Sequence, residues 1–286
     1  MNRKAIVFLP VVLALCAPVT LAAQEGDPFT LQVINDANGV LKAQWMDLRV
    51  EQVEVLSLSQ GRAAARLHLQ PYRWVAGDAR RAADGAHLTY LFDRERGVPA
   101  GAAVTPGQAE AAVDRAVSTW GTAPCLYRVG FAKRPFTGAD VTVFDAQLGY
   151  GGSGDWRAAD VVIGGWMPPA FFDAVVPDGG RAVLALSVTF IFVGPDGQPT
   201  DLDRDGNMDT AASEIYFNDG FSWTVNGGPG FDIQTVALHE LGHSLGLGHL
   251  GPPPTAVMNP VYAGPRPSLR PLDQVALCGV WASWPH

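Results

Sequence analysis

Residues 239–249 read His239-Glu240-Leu241-Gly242-His243-Ser244-Leu245-Gly246-Leu247-Gly248-His249, and this spacing of three histidines constrains the chain more than any other feature. On a helix, positions four apart are rotated by about 400°, so His239 and His243 project from nearly one face about 6 Å apart along the axis. His249, about 600° beyond His243, would lie on the opposite side if the helix continued. Gly246 is placed to end it, because glycine accepts the left-handed conformation that commonly closes helices. Three neutral imidazoles that converge with a fourth position open make a catalytic zinc site; a structural site is closed by four protein ligands, usually including thiolates. Glu240, about 100° around from His239, reaches beside the metal and is the candidate general base. The competing reading is a helix with satisfied core histidines, and three histidines are an odd way to fill an apolar core.

The rest of the chain narrows the class. Of 286 residues, 48% are hydrophobic and 17% charged, which excludes disorder, and 32 Gly with 22 Pro favour short strands and turns over a helical bundle. The net charge of −8 argues against sequence-independent nucleic-acid binding. Residues 1–23, with Arg3 and Lys4, an apolar run and small residues through Ala22 and Ala23, are expected to be a secretory signal peptide and not a membrane span. That implies an extracellular or periplasmic protein. A lipoprotein reading of Cys16 is disfavoured by Leu15 before it. With Cys16 gone, Cys125 and Cys278 remain for a single disulfide in an oxidising compartment, two buried thiols being the alternative.

Residues 24–85 show strand-like runs at Leu31–Ile34 and Val50–Leu58 and are expected to be an N-terminal extension or a removable prosegment ahead of a domain at 86–286. His87–Phe92 alternates as a strand. Thr105, Pro106 and Gln108 form a capping box that opens a helix through about Trp120. Strands are expected at Leu126–Phe131, Val141–Phe144, Ala159–Gly164, Ala182–Val193 and Glu214–Phe217, then helices from Asp232 to Leu245 and Pro271 to Trp281. The order predicts an α+β fold with a twisted mixed β-sheet and three main helices.

A second metal site is suggested by Asp201, Asp203, Asp205, Asn207 and Asp209, with Gly206 at the sharp turn of what resembles a calcium loop. Its twelfth position is Ala212 where a bidentate Glu is expected, and Glu214 comes two residues late. The loop is either a modified structural calcium site or an acidic surface turn.

The histidine motif resembles that of the metzincins, and among them the matrixin-like zinc peptidases. Ala256-Val257-Met258-Asn259-Pro260 is similar to their Met-turn, and Ala159–Ile163 and Glu214–Asp219 with Trp223 resemble a sheet strand and the segment feeding the active-site helix. The resemblance covers about 86–286. It implies a metzincin-like fold, with a catalytic zinc cleft between a larger N-terminal and a smaller C-terminal subdomain. His239, His243 and His249 would hold zinc, and Met258 would support the site. Residues 88–238 contain no His, so one zinc is expected, and 24–124 contain no Cys, so latency cannot use a cysteine. Pro260 stands where some relatives place a Tyr ligand, and Tyr262 is out of register. The implied activity is a secreted zinc endopeptidase that hydrolyses protein or peptide substrates by a zinc-activated water with Glu240 as base. The alternative is an inactive secreted zinc- and calcium-binding module.

Overall fold

Continuous runs of β-branched and aromatic residues set the centre of the molecule. The computed structural model describes residues 28–44, 47–58, 70–82, 85, 87–99, 102–126, 129–225, 227–251 and 255–284. The first part of the chain gives helix α1 (Pro28–Gln44), strands β1 (Leu48–Ser57), β2 (Tyr72–Arg73) and β3 (Leu88–Phe92), helix α2 (Pro106–Gly121) and strand β4 (Phe131–Lys133). The short helix α3 (Phe144–Gln147), strand β5 (Val161–Met167), helices α4 (Pro169–Val175) and α5 (Gly179–Ala182) and strand β6 (Val183–Phe192) follow. Last come strands β7 (Met208–Asn218), β8 (Trp223–Thr224) and β9 (Phe231–Asp232), then helices α6 (Ile233–Ser244) and α7 (Pro271–Trp281).

This is the expected α+β class. The main sheet runs β1-β6-β7-β5-β3-β4, with β2 beside β7. β6 is antiparallel to both β1 and β7, while β7, β5, β3 and β4 are parallel. Successive β7 side chains face opposite ways, so Ile215 and Phe217 join one core and Ala212 and Tyr216 the other. The first core lies under α2 and α6, where the Trp120 indole donates to the Leu238 carbonyl at 2.8 Å. The second is covered by Ala37 and Leu41 of α1 and Phe171 and Phe172 of α4.

The capping box of α2 is present, with Gln108 N donating to Thr105 Oγ1 and Thr105 N to Gln108 Oε1. Cys125 and Cys278 form a disulfide with Cα atoms 5.2 Å apart, tying the end of the α2 segment to α7. The segment before β3 is fastened to the sheet by fully buried Arg81, whose guanidinium pairs with Asp160 at 3.1 Å and donates to the Val75 and His87 carbonyls.

Three expected strands differ. Leu31–Ile34 lies inside α1, because a four-residue apolar run carries no period to separate helix from strand, and Ala37 and Leu41, four apart, set the buried helical face. This helix adds a fourth long one to α2, α6 and α7. Leu126–Phe131 is not the strand expected: β4 shares only Phe131 with it and runs on to Lys133, beginning after Gly130 at a positive φ of 64°. Val141–Phe144 is not a strand: the Val143 and Phe144 amides donate to the buried Glu214 carboxyl at 2.6 and 2.9 Å, so a side chain takes the bonds a ladder would need. The expected leader, residues 1–23, lies outside the described residues.

Candidate metal centre

α6 is buried nearly all round, and its start is fixed by Asp232, whose carboxylate accepts from Thr235 N at 2.8 Å and Thr235 Oγ1 at 2.7 Å. His239 and His243 share one face, their ring centroids 4.8 Å apart. Gly246, with φ of 81°, turns the chain: Gly246 N donates to His243 O, and Leu247 N to Gly242 O. The returning segment carries His249 to 4.8 Å from the His243 ring and 5.3 Å from that of His239. One ligand nitrogen from each of the three lies within 4.8 Å of the others.

Two hydrogen bonds settle which nitrogens face inward. His239 Nδ1 lies 2.8 Å from the Val257 carbonyl and His243 Nδ1 2.7 Å from that of Leu247. A carbonyl only accepts, so each Nδ1 carries the proton and each Nε2 is left with its lone pair. Burial keeps the rings neutral, pushing His239 down to about 4, His249 to about 3, and His243 well below the usual histidine range. The two Nε2 atoms of His239 and His243 are nevertheless 3.1 Å apart, and His249 Nε2 is buried with no partner. Lone pairs converging in this way fit a cation, and nitrogen donors with carbonyls behind them suit zinc.

Glu240 is fully buried; its carboxylate oxygens make no well-aligned hydrogen bond, and the Ser187 hydroxyl of β6 is the polar side chain that faces them. Burial raises its carboxyl well above the usual range, and the nearby Glu54 charge adds to this. Beneath the helix, Met258 lies where a Cβ on Gly242 would come within 2.2 Å of its sulfur, so glycine at 242 is what admits the methionine. The turn itself is held by Asp273 of α7, whose carboxylate accepts from Val257 N, Met258 N and Arg270 N at 2.8–3.1 Å. Neither Gly242 nor Asp273 stands out in the sequence.

Residues 194–282 match the family model for matrixin, a span that contains the whole histidine motif, Glu240 and Met258. The protein is matrixin-like. The matrixin-like chain is 43% identical over 56 residues to matrix metalloproteinase-25 of Homo sapiens, 39% over 70 residues to karilysin of Tannerella forsythia and 37% over 67 residues to matrilysin of Homo sapiens. These segments cover 19%, 24% and 23% of this chain and 10%, 14% and 25% of the respective relatives, so the likeness spans a quarter or less of each. At family level the likeness is to zinc metallopeptidases.

Outside that span, β1 approaches the matrixin-like centre. Glu54 Oε2 lies 3.5 Å from His249 Nδ1, while Gln52 and Gln70 amides donate to Oε1. Burial pushes the Glu54 carboxyl up to about 7, against those two amides. Tyr262, which the sequence leaves without a role, accepts from Asp232 N through its hydroxyl and donates its own amide to Ser57 O.

The acidic loop comes together only in part. Asp201, Asp203 and Asp209 present oxygens within 4.8 Å of one another, whereas Asp205 faces Arg73 at 3.6 Å and accepts from Asn207 N. Asp209 also pairs with Arg80 at 2.6 Å. Glu214 is not part of the loop; it is buried against Val143, Phe144 and Tyr216. Among the described residues, no helix is long and apolar enough to cross a membrane.

Proposed function

We propose that this protein is an exported zinc endopeptidase acting on protein or peptide substrates. The observation that carries this reading is three neutral imidazoles whose lone pairs meet, with the buried carboxyl of Glu240 next to His239 in the same helix. His239, His243 and His249 would hold one zinc ion. When bound, zinc supplies Lewis acidity, polarising a scissile carbonyl and making a water molecule easier to deprotonate. The Val257 and Leu247 carbonyls orient the first two rings, and Met258 packs under Gly242 to keep α6 and the following turn in register. Glu240 takes the proton from water on a carboxylate oxygen and returns it to the leaving amine. Glu240, neutral when buried without a cation, would take the ionised form that a base requires once the three histidines held a dication. Water is the nucleophile, so no covalent enzyme intermediate forms.

Export is supported by the leader-like residues 1–23 and by a disulfide of the kind that persists in oxidising compartments. A structural calcium ion is proposed at Asp201, Asp203 and Asp209, whose oxygens converge; Asp205 and Asn207, expected from the loop spacing, face Arg73 and each other. Selective calcium chelation should lower the melting temperature without extracting zinc; an unchanged melting curve would remove calcium from this account.

Glu240→Gln tests the central claim. The variant should keep stoichiometric zinc by metal analysis and lose peptide-library cleavage by at least about 100-fold. Zinc-loaded wild type that cleaves nothing in a broad peptide library would leave a binding module without turnover.

A further inference from the structure

Two buried polar side chains, one on β6 and one on α6, lack a well-aligned hydrogen bond at the same place. Ser187 is 2% exposed and Glu240 0% exposed, and neither the Ser187 hydroxyl nor either Glu240 carboxylate oxygen is satisfied. The register of the sheet brings them together. Ser187 stands opposite Ile215 of β7, and directly opposed residues of neighbouring strands project to the same face. Ile215 belongs to the core under α6, as does Ala185, two residues before Ser187. Ser187 therefore points toward α6. Its level along the helix follows from a second pair: Ser244 Oγ lies 2.7 Å from Ser213 Oγ of β7, and Ser213 stands opposite Thr189 of β6. From that anchor, four residues back along α6 to Glu240 cover about 6 Å, and two residues back along β6 to Ser187 cover about 6.6 Å. The matched steps leave the Ser187 hydroxyl facing the Glu240 carboxyl. The other carboxyl near Ser187 is engaged: Glu54, opposite it on β1, accepts from the Gln52 and Gln70 amides on Oε1 and has Oε2 3.5 Å from His249 Nδ1.

Alanine at 187 would fill nearly the same space without burying a polar atom, so a hydroxyl here costs stability unless it bonds. A hydroxyl donates to an ionised carboxylate and accepts from a neutral carboxyl, so it can serve Glu240 in both states that a proton transfer passes through. We propose that Ser187 is the positioning residue of Glu240: its Oγ holds one carboxylate oxygen toward β6 and leaves the other toward the three histidines to carry the proton. Fixing one oxygen fixes the direction of the other, and a base works only within hydrogen-bond reach of the proton it takes. The proposal rests on the hydrolytic reading for its part in turnover, but the contact between Ser187 and Glu240 stands or falls by itself.

The test compares the full zinc-loaded chain with its Ser187→Ala and Ser187→Thr variants. Zinc content should stay stoichiometric in all three. Ser187→Ala should lower kcat for peptide cleavage by about 10-fold and change KM by less than about 2-fold, as expected for a group that acts on the chemical step and not on substrate binding. Ser187→Thr keeps the hydroxyl and suits a strand, and should recover most of kcat. A second readout needs no turnover: a double-mutant cycle of Ser187→Ala with Glu240→Ala, followed by urea unfolding of the zinc-loaded proteins. The product of the two single effects on the unfolding constant should miss the double variant by about 5-fold. Additive effects in the cycle overturn the proposal and make Ser187 a packing residue. So does a Thr variant of unchanged stability that is no more active than Ala, or a loss that falls on KM alone. Coupling in the cycle when even the wild type cleaves nothing keeps the contact and sinks the hydrolytic reading. Cleavage by the wild type with an additive cycle does the reverse.

Discussion

The metal centre has two walls of opposite character. One, made by α6, the turn at Met258 and Asp273 of α7, is built from contacts among residues close in sequence, with helical period, capping and a glycine turn all acting in the same direction. The other, β1, meets the centre from nearly two hundred residues away, through strand pairing and two inward side chains. The first wall places the three histidines and the second covers them. A catalytic motif can therefore specify the chemistry of a site while carrying no information about its access.

If the walls are independent in this sense, the largest effect should come from the staple that ties the first wall together. Replacing Cys125 and Cys278 by Ser opens a bridge across 153 residues, a loss worth about 2–5 kcal/mol in urea unfolding. Zinc affinity should fall with it, because α7 carries Asp273. Amide exchange in β1 should slow or quicken only with global unfolding. Selective loss of β1 protection in that variant would show that the two walls are one unit.

The same division explains what could be read from the sequence. His239, His243 and His249, Gly246 and the Asp232 cap were legible because each depends on helix geometry within one or two turns, and the capping box of α2 for the same reason. The fold class followed from the order of apolar runs, and the disulfide from parity of cysteines. Leu31–Ile34 and Val141–Phe144 failed where short apolar runs were outvoted by distant partners: the sheet face under Ala37 and Leu41, and the carboxyl of Glu214. Glu54 looked like any polar residue of an alternating strand. Only the register of β1 on β6 brings it to His249. Asp205 and Asn207 had loop spacing but lost their expected direction to Arg73 and to each other.

A second perturbation weakens the first wall alone. Asp273→Ala leaves three backbone N–H groups, those of Val257, Met258 and Arg270, without their acceptor. Unfolding free energy should drop by about 2–4 kcal/mol, given about 1–3 kcal/mol for each buried donor left unmade and partial relief by water. Because Val257 O also holds His239 Nδ1, zinc affinity measured by competition with a chromogenic chelator should fall as well. Asp273→Asn, which keeps one oxygen acceptor, should recover part of both. Stability loss with unchanged zinc affinity would separate the turn from the ligands and break the picture of a single cooperative wall.

The smallest effect sits outside both walls and serves as their control. Burial holds the Glu214 carboxyl at about 8, raised further by Asp145 and opposed by Tyr216 and the Phe144 and Val143 amides. The folded chain thus binds this proton more tightly than the unfolded one, whose carboxyl titrates near 4.5. Stability from the neutral carboxyl is complete below pH about 4.5 and is lost as pH rises through about 8. Glu214→Gln should cost about 1 kcal/mol near neutrality, since the amide nitrogen cannot accept from Val143 N. Above pH 8 the variant should close that gap, because it has no proton to release. Zinc affinity and β1 protection should not move at either pH. Parallel stability curves for the two proteins from pH 5 to 9 would mean that Glu214 is ionised throughout, with its three donors outweighing burial. In that case Val143 and Phe144 are held by a charge, and the missing strand at 141–144 has an electrostatic cause.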